Sequence, residues 1–264
     1  GARNPHTKRT SCFYDFTRGA IGTQKGLPLW MDGRGRWFAA RQGTAAVPCL
    51  KGVDSFLVLR VPFRKSGGGT YCNTWTLSMM VRFPTLSARP LLATGGWDQF
   101  SAMHDSDDPA QLTLSDSGAL GTLNTYTSAD AGASAARVRA NTWHALSMSV
   151  DAVGGIVRTY IDGEETAVVR NPKICKDGQH ALKGRLALFF ARGTPPRYYL
   201  RSATVHNRAL DLPQIRSEHG KMHQLLMMDA VEMVPPSLHP TITAEHAETK
   251  TSFDTPSALK ARVR

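Results

Sequence analysis

The chain has 264 residues, 41% hydrophobic and 8% aromatic, with 32 Lys and Arg against 21 Asp and Glu for a net charge of +11. That is enough apolar material for a sizeable core, and it excludes wholesale disorder. No apolar run approaches the ~18 residues that a membrane-spanning helix needs.

The chain begins at Gly1 rather than at a methionine, which reads as a processed or trimmed product. Residues 1–11, GARNPHTKRTS, are polar and basic and read as an arm. A short strand is expected over 12–16. The passage 19–36, rich in glycine and holding Pro28, reads as irregular. Charge is uneven: residues 1–65 carry 12 basic and 3 acidic side chains, 66–135 carry 2 and 6, and 136–264 carry 18 and 12. A basic first third attracts polyanions such as RNA. Within it, Arg34, Arg36 and Arg41 offer cations for a backbone, and Trp37 and Phe38 offer faces on which a base can stack. The same tract equally suits closing one end of a sandwich.

Residues 56–61 alternate as a strand, and 66–69, SGGG, read as a flexible connector. The clearest strand spans 75–83. Trp75, Leu77, Met79, Val81 and Phe83 share one face, and Thr76, Ser78 and Arg82 share the other. Shorter strands are expected over 91–94, 112–115 and 120–126, with a small-residue loop over 129–136. The stretch 141–165 organises the rest. Leu146, Met148 and Val150 alternate with Ala145, Ser147 and Ser149, Gly154-Gly155 supplies a turn, and a second strand runs to the hairpin signal Asp162-Gly163. A third strand returns over 166–169. Strands over 186–190 and 198–206 complete the sheets. From 210 the pattern becomes helical, with Asp211 as cap, Pro213 in the first turn, and Leu212, Ile215, Met222, Leu225 and Leu226 at helical spacing. Gly220 is expected to end one helix and begin another. Pro235-Pro236 stops it, and the polar tail 237–264, ending in Lys260-Ala261-Arg262-Val263-Arg264, cannot build a core.

Three blocks carry a resemblance. Trp143-His144 entering a strand, the Gly-Gly turn and Tyr160-Ile161-Asp162-Gly163 resemble the central hairpin of laminin-G-like, concanavalin A-like jelly-roll domains. YYLRSATVHNRAL over 198–210, followed by Asp211-Leu212-Pro213-Gln214-Ile215, resembles the closing strand and short helix of that family, and 12–17 resembles its opening strand. The likeness covers roughly residues 10–220. It implies an all-β antiparallel sandwich of the concanavalin A-like jelly-roll class with a C-terminal helix and extended termini. The domains expected are a basic arm over 1–11, a laminin-G-like sandwich over 12–210, a helical segment over 211–234 and an extended polar tail over 235–264.

Sugar-cleaving relatives would carry Glu-x-Asp-x-Glu or Glu-x-Asp-x-x-Glu on one strand, because glycoside hydrolysis takes two carboxylates. Neither pattern occurs in this sequence. Calcium is bound at the rim of many laminin-G-like domains, and Asp105, Asp107 and Asp108, near Asp98, are weak candidates for it. They lack the ladder and terminal Glu of a dedicated calcium loop, and a solvated acidic loop is the plainer reading. His219 and His223 are four apart on the expected helix without a third metal ligand. Cys12, Cys49, Cys72 and Cys175 show no metal-ligand spacing and read as thiols beside apolar residues. Trp30, Trp37 and Trp97 offer a platform for a sugar ring.

The expectation is therefore a non-catalytic interaction or scaffold module without cofactor. Its partners are protein subunits of a larger complex, and RNA through Arg34, Arg36, Trp37 and Arg41 and through Arg262 and Arg264 of the tail. A basic organellar ribonucleoprotein such as a mitochondrial ribosome suits the charge, and an intracellular, mitochondrial setting goes with it. The alternative is an extracellular lectin-like domain that binds carbohydrate, with or without calcium.

Overall fold

The computed structural model describes residues 11–15, 28–32, 36–42, 45–52, 56–60, 63–94, 112–122, 136–171, 174–178, 180–189 and 197–232, with the strands before residue 57 described by their backbone. In chain order the elements are β1 (Ser11–Asp15), β2 (Pro28–Asp32), β3 (Arg36–Gln42), β4 (Ala45–Gly52), β5 (Phe56–Arg60), β6 (Thr74–Arg82) and β7 (Arg89–Ala93). Then come β8 (Leu112–Leu114), β9 (Leu120–Gly121), β10 (Trp143–Asp151), β11 (Ile156–Ile161), β12 (Glu164–Arg170), β13 (Arg185–Leu188), β14 (Tyr198–His206) and α1 (Leu212–Glu232). All belong to one unit, Gly1–Met233; the second, Val234–Arg264, contains the expected tail and lies outside the described residues.

Two antiparallel sheets form the sandwich. The larger runs β12-β11-β10-β6-β14-β4-β3, and β1 joins it through β14. One side of β14 pairs along β6, while its other side is shared between β4 at 198–200 and β1 at 202–206. The smaller sheet runs β2-β5-β13-β7-β8-β9. β9 packs against β11 and β12, which puts the β2–β5 end of one sheet and the β3–β4 end of the other along the same edge.

Period-two alternation decides the core. Trp75, Leu77, Met79, Val81 and Phe83 meet Leu146, Met148 and Val150 from β10 and Leu200, Ala203 and Val205 from β14. The smaller sheet contributes Leu57, Leu59, Leu91, Leu92, Leu112, Leu114, Leu186 and Leu188. Trp75 Nε1 finds a partner by donating to His180 O at 2.7 Å, as a buried indole must.

On β6, β10 and β14 the second face of the larger sheet is also buried. Thr76, Ser78, Met80, Ala145, Ser147, Ser149, Ser202 and Thr204 are all covered, because α1 lies against β4, β6, β10 and β12. Short side chains let the helix come close. A capping box starts α1: Gln214 N donates to Asp211 Oδ1 at 3.0 Å and Asp211 N donates to Gln214 Oε1 at 3.2 Å. Ile215, His219, Met222 and Leu226 then share its buried face.

Three expectations change. Gly220 lies inside α1 rather than between two helices; docking of Ile215 and Met222 on either side of it outweighs the weak local propensity of glycine. The passage read as irregular contains β2, and β3 and β4 follow, with β2 pairing β5 and β3 pairing β4. The SGGG segment is not slack. Gly67, Gly68 and Gly69 take φ of 70°, 76° and 83°, and the turn is tied down when Thr70 N and Tyr71 N donate to the Asp177 carboxylate at 2.6 and 2.8 Å.

Candidate functional site

The turn between β11 and β12 gathers most of the titratable side chains beneath the helix. Asp162 and Gly163 both have positive φ, 51° and 87°, as a two-residue type I′ hairpin requires. Asp162 Oδ2 accepts from His144 Nδ1 at 2.6 Å, and Oδ1 accepts from Ala145 N at 2.8 Å and from His223 Nε2 at 3.0 Å. The tautomer of His144 follows from its other nitrogen: Arg139 N donates to Nε2 at 2.9 Å, so Nδ1 carries the proton. Burial opposes charge on Asp162, but hydrogen bonds from His144, His223 and Ala145 hold its carboxyl well below the usual range.

One turn earlier on α1, His219 is 1% exposed. Gly163 N donates to its Nδ1 at 2.7 Å. Nε2 must then carry the proton, and it donates to Ser147 Oγ at 2.6 Å, with Ser78 Oγ a further 2.6 Å on. Burial pushes the imidazole down to about 4, so it is neutral at physiological pH. A serine nucleophile needs a histidine that accepts its proton. Here the bond runs the other way, and Ser147 is a rung in a structural ladder. The ladder continues where Leu210 N donates to Thr76 Oγ1 at 2.9 Å and Ser149 Oγ donates to Leu210 O at 3.0 Å. The sequence placed His144 beside Trp143 and treated His219 and His223 as a helical pair; what ties them to Asp162-Gly163 is a tertiary contact. No group of three or more His, Cys, Asp or Glu is placed to hold a metal among the described residues.

A hollow of about 490 Å³ is lined by Ala152, Val153, Gly154, Gly155, Ile174, Cys175 and Lys176, with no carboxylate among them. Cys175 is an exposed free thiol, unlike the buried Cys72.

The second constellation is a row across five strands on the face of the larger sheet that carries α1. Register sets Arg36 of β3 opposite Lys51 of β4, Lys51 opposite Tyr199 of β14, Tyr199 opposite Arg82 of β6, and Arg82 opposite Trp143 of β10. Arg82 Cζ lies 4.6 Å from the Tyr199 ring centroid and 6.0 Å from that of Trp143, within cation–π range. Met222 and Leu226 of α1 pack beside it on Met80, Trp143, Ala145 and Tyr199. Trp143 is buried, while Arg82 and Tyr199 are half-buried. At the edge of the sandwich where these strands lie, β3, β4 and β5 carry Arg36, Arg41, Lys51 and Arg60 and no acidic residue, while β2, beside β5, ends at Asp32.

Of the residues singled out from sequence, Arg36 joins this row. Trp37, one residue on, stands opposite Leu50, which stands opposite the core residue Leu200. Arg41 lies opposite Ala46, about 17 Å along the strand from Arg36. The backbone therefore separates Arg36 from Trp37 and Arg41 rather than combining them. Trp30 lies on β2 opposite Val58. Arg34, Arg262 and Arg264 lie outside the described residues, as do Trp97, Asp98, Asp105, Asp107 and Asp108. Lys51, Arg82 and Tyr199 were missed; only the pairing of distant strands brings them together.

No family model matches the chain, and no curated protein does. Solved structures of similar fold include the Trypanosoma rangeli sialidase, at 15% identity over 72% of this chain and 33% of that one, with a TM-score of 0.46. Domain 4 of an extracellular arabinanase from Geobacillus stearothermophilus, in complex with arabinotriose, matches at 19% identity, covering 70% of this chain and 87% of that one, TM-score 0.40. The binding domain of Paraclostridial Mosquitocidal Protein 1 matches at 13% identity over 71% and 46%, TM-score 0.46. The chain thus spans about a third of the sialidase's length.

Proposed function

We propose that this chain is a non-catalytic binding module, a laminin-G-like sandwich that works by holding a partner within a larger assembly. The observation that carries this reading is the direction of the His219–Ser147 hydrogen bond: among the described residues, this buried serine–histidine pair under the helix is wired so that the serine oxygen accepts a hydrogen bond from the histidine instead of donating one to it. Asp162, with three donors on its carboxylate, is likewise occupied as a structural acceptor. An anionic partner suits the basic strands β3–β5 and the net charge of +11. An organellar ribonucleoprotein such as a mitochondrial ribosome is the setting that charge alone suggests.

Carbohydrate is the second reading. It stands on Trp30, which β2–β5 pairing sets opposite Val58. Arabinotriose and sialic acid are ligands named for solved structures of similar fold.

The test combines reactivity and binding. A fluorophosphonate probe is expected to leave Ser147 unlabelled, and a labelled RNA is expected to bind with an affinity that falls steeply between 50 and 200 mM salt. Labelling of Ser147, or glycoside turnover lost in Asp162→Asn, overturns the non-catalytic reading. Saturable glycan-array binding that is insensitive to salt, tested with and without a chelator, replaces the anionic partner with a sugar.

A further inference from the structure

We propose that α1 is an acid-sensitive latch: a proton arriving on His219 loosens the helix from the larger sheet while the sandwich beneath it stays closed. The bonding of the ring sets this up. Nδ1 accepts from Gly163 N at 2.7 Å and Nε2 donates to Ser147 Oγ at 2.6 Å, so the neutral ring uses both nitrogens. A further proton has only Nδ1 to go to, where it points at the Gly163 N–H, donor against donor. The ring is buried, and a charge placed there has no water to meet.

The groups around the ring leave that conflict in place. Asp162 in the β11–β12 turn and Glu218 on α1 favour the charged form and His223 opposes it, but burial outweighs them. Asp162 is already shared by His144, His223 and Ala145 N, and Glu218 faces His206 of β14 at 3.6 Å. Glu164 and Glu165 of β12 are taken by Arg216 and Arg158. The other elements against the helix bring Arg82 of β6, Tyr160 of β11, and Cys49 and Lys51 of β4, with no carboxylate among them. His223 and His206 each meet a carboxylate, a partner that a protonated ring keeps. His219 is the tether that acid breaks.

The helix can leave without opening the core. Its buried side chains Ile215, Met222 and Leu226 rest on the outer face of the sheet, against Tyr160 and Leu210 and against Met80, Trp143 and Ala145. Among the described residues, the main cluster between the sheets includes none from α1. An element held by few apolar contacts opens at lower free energy than the fold as a whole.

Hydrogen exchange of the whole chain tests this, read peptide by peptide at pH 7.5 and pH 4 and corrected for the intrinsic pH dependence of amide exchange. His219 moves from 6.5 in a released helix to about 4 in the docked one. Protection over 215–226 is therefore expected to fall about a hundredfold, close to tenfold per pH unit below 6.5. Residues 75–83, whose amides need the sandwich itself to open, are expected to stay more protected than the helix at both pH values. His219→Gln is expected to lower helix protection at pH 7.5 and to abolish its fall with acid, whereas His206→Gln and His223→Gln retain the fall. Helix and core amides that exchange at one common rate refute the latch, because α1 then opens only with the whole fold. An absent fall in the wild type, or one that survives in His219→Gln, refutes it as well. A long-range proton–nitrogen spectrum of the wild type needs no variant: His219 is expected as the Nε2–H tautomer at pH 7.5, and an Nδ1–H tautomer or an imidazolium there overturns the arrangement.

Discussion

Replacing His219 with glutamine removes a proton-binding group whose behaviour is set almost wholly by its surroundings. In the folded protein the ring is 1% exposed, accepts from Gly163 N and donates to Ser147 Oγ. Burial brings it from 6.5 down to about 4. The unfolded chain therefore takes up a proton at this position while the folded chain still refuses it. Stability from this group is fully present above pH 6.5 and drains away as pH falls toward 4, because the unfolded state binds more protons throughout that window. At about 1.36 kcal/mol per pH unit, the fall from pH 7.5 to pH 4 removes about 3 kcal/mol. His180, also buried and pushed down to about 4, adds a similar loss, but it is shared by both proteins and cancels in the comparison. Urea unfolding followed by tryptophan fluorescence at the two pH values gives the difference directly. His219→Gln is expected to start lower at pH 7.5, by about 1–3 kcal/mol for the disturbed hydrogen bonds, yet to lose about 3 kcal/mol less than wild type on acidification. Identical pH dependence in the two proteins would show that His219 titrates normally, and the locked tautomer would fall with it.

Gly118 and Gly220 predict opposite signs. A Cβ on Gly118 would sit 2.1 Å from Val138 O at a φ of 79°, so Gly118→Ala should cost about 3 kcal/mol or more and reduce soluble yield. Nothing lies within 4 Å of a Cβ on Gly220, so Gly220→Ala in mid-helix should stabilise by about 1 kcal/mol in the same urea assay. Asp162→Asn should lose about 2 kcal/mol, by replacing a charged acceptor of His144 and His223 with a neutral amide; a melting temperature unchanged at pH 7.5 would contradict the bonding assigned to that turn. Ser147→Ala leaves the His219 Nε2 proton without its acceptor, for a loss of about 1–3 kcal/mol, whereas a merely space-filling serine would cost almost nothing.

The meander from β10 to β12 was legible in sequence because its determinants are local: Gly155 and Gly163 stand where φ is positive, and β10 alternates without interruption. β14 was legible for the same reason. β4 was not. Pro48 argues against an interior strand, yet β4 holds its place because its pairing with β14 is confined to residues 50–52 and leaves Pro48 facing only Ala39 of β3. The α1-facing surface of β6 and β10 was hidden in another way. Thr76, Ser78, Ser147 and Ser149 have the composition of a solvated face, and the helix that covers them comes from more than sixty residues downstream of β10. The site followed the same division. Arg36 and Trp37 are neighbours in sequence, and charge drew attention to the first and its ring to the second, but register sets one opposite Lys51 and the other opposite Leu50. Only cross-strand pairing, which a single sequence does not display, could have found Tyr199 and Arg82.

The position of β14 has a consequence for biosynthesis. Because this strand joins β6 on one side to β4 and β1 on the other, the larger sheet stays in separate pieces until residue 206 has been translated. Until then a nascent chain carries exposed strand edges and cannot close its core, the condition under which holding chaperones are needed most. Assembly of this protein is thus a late event, completed from its C-terminal side.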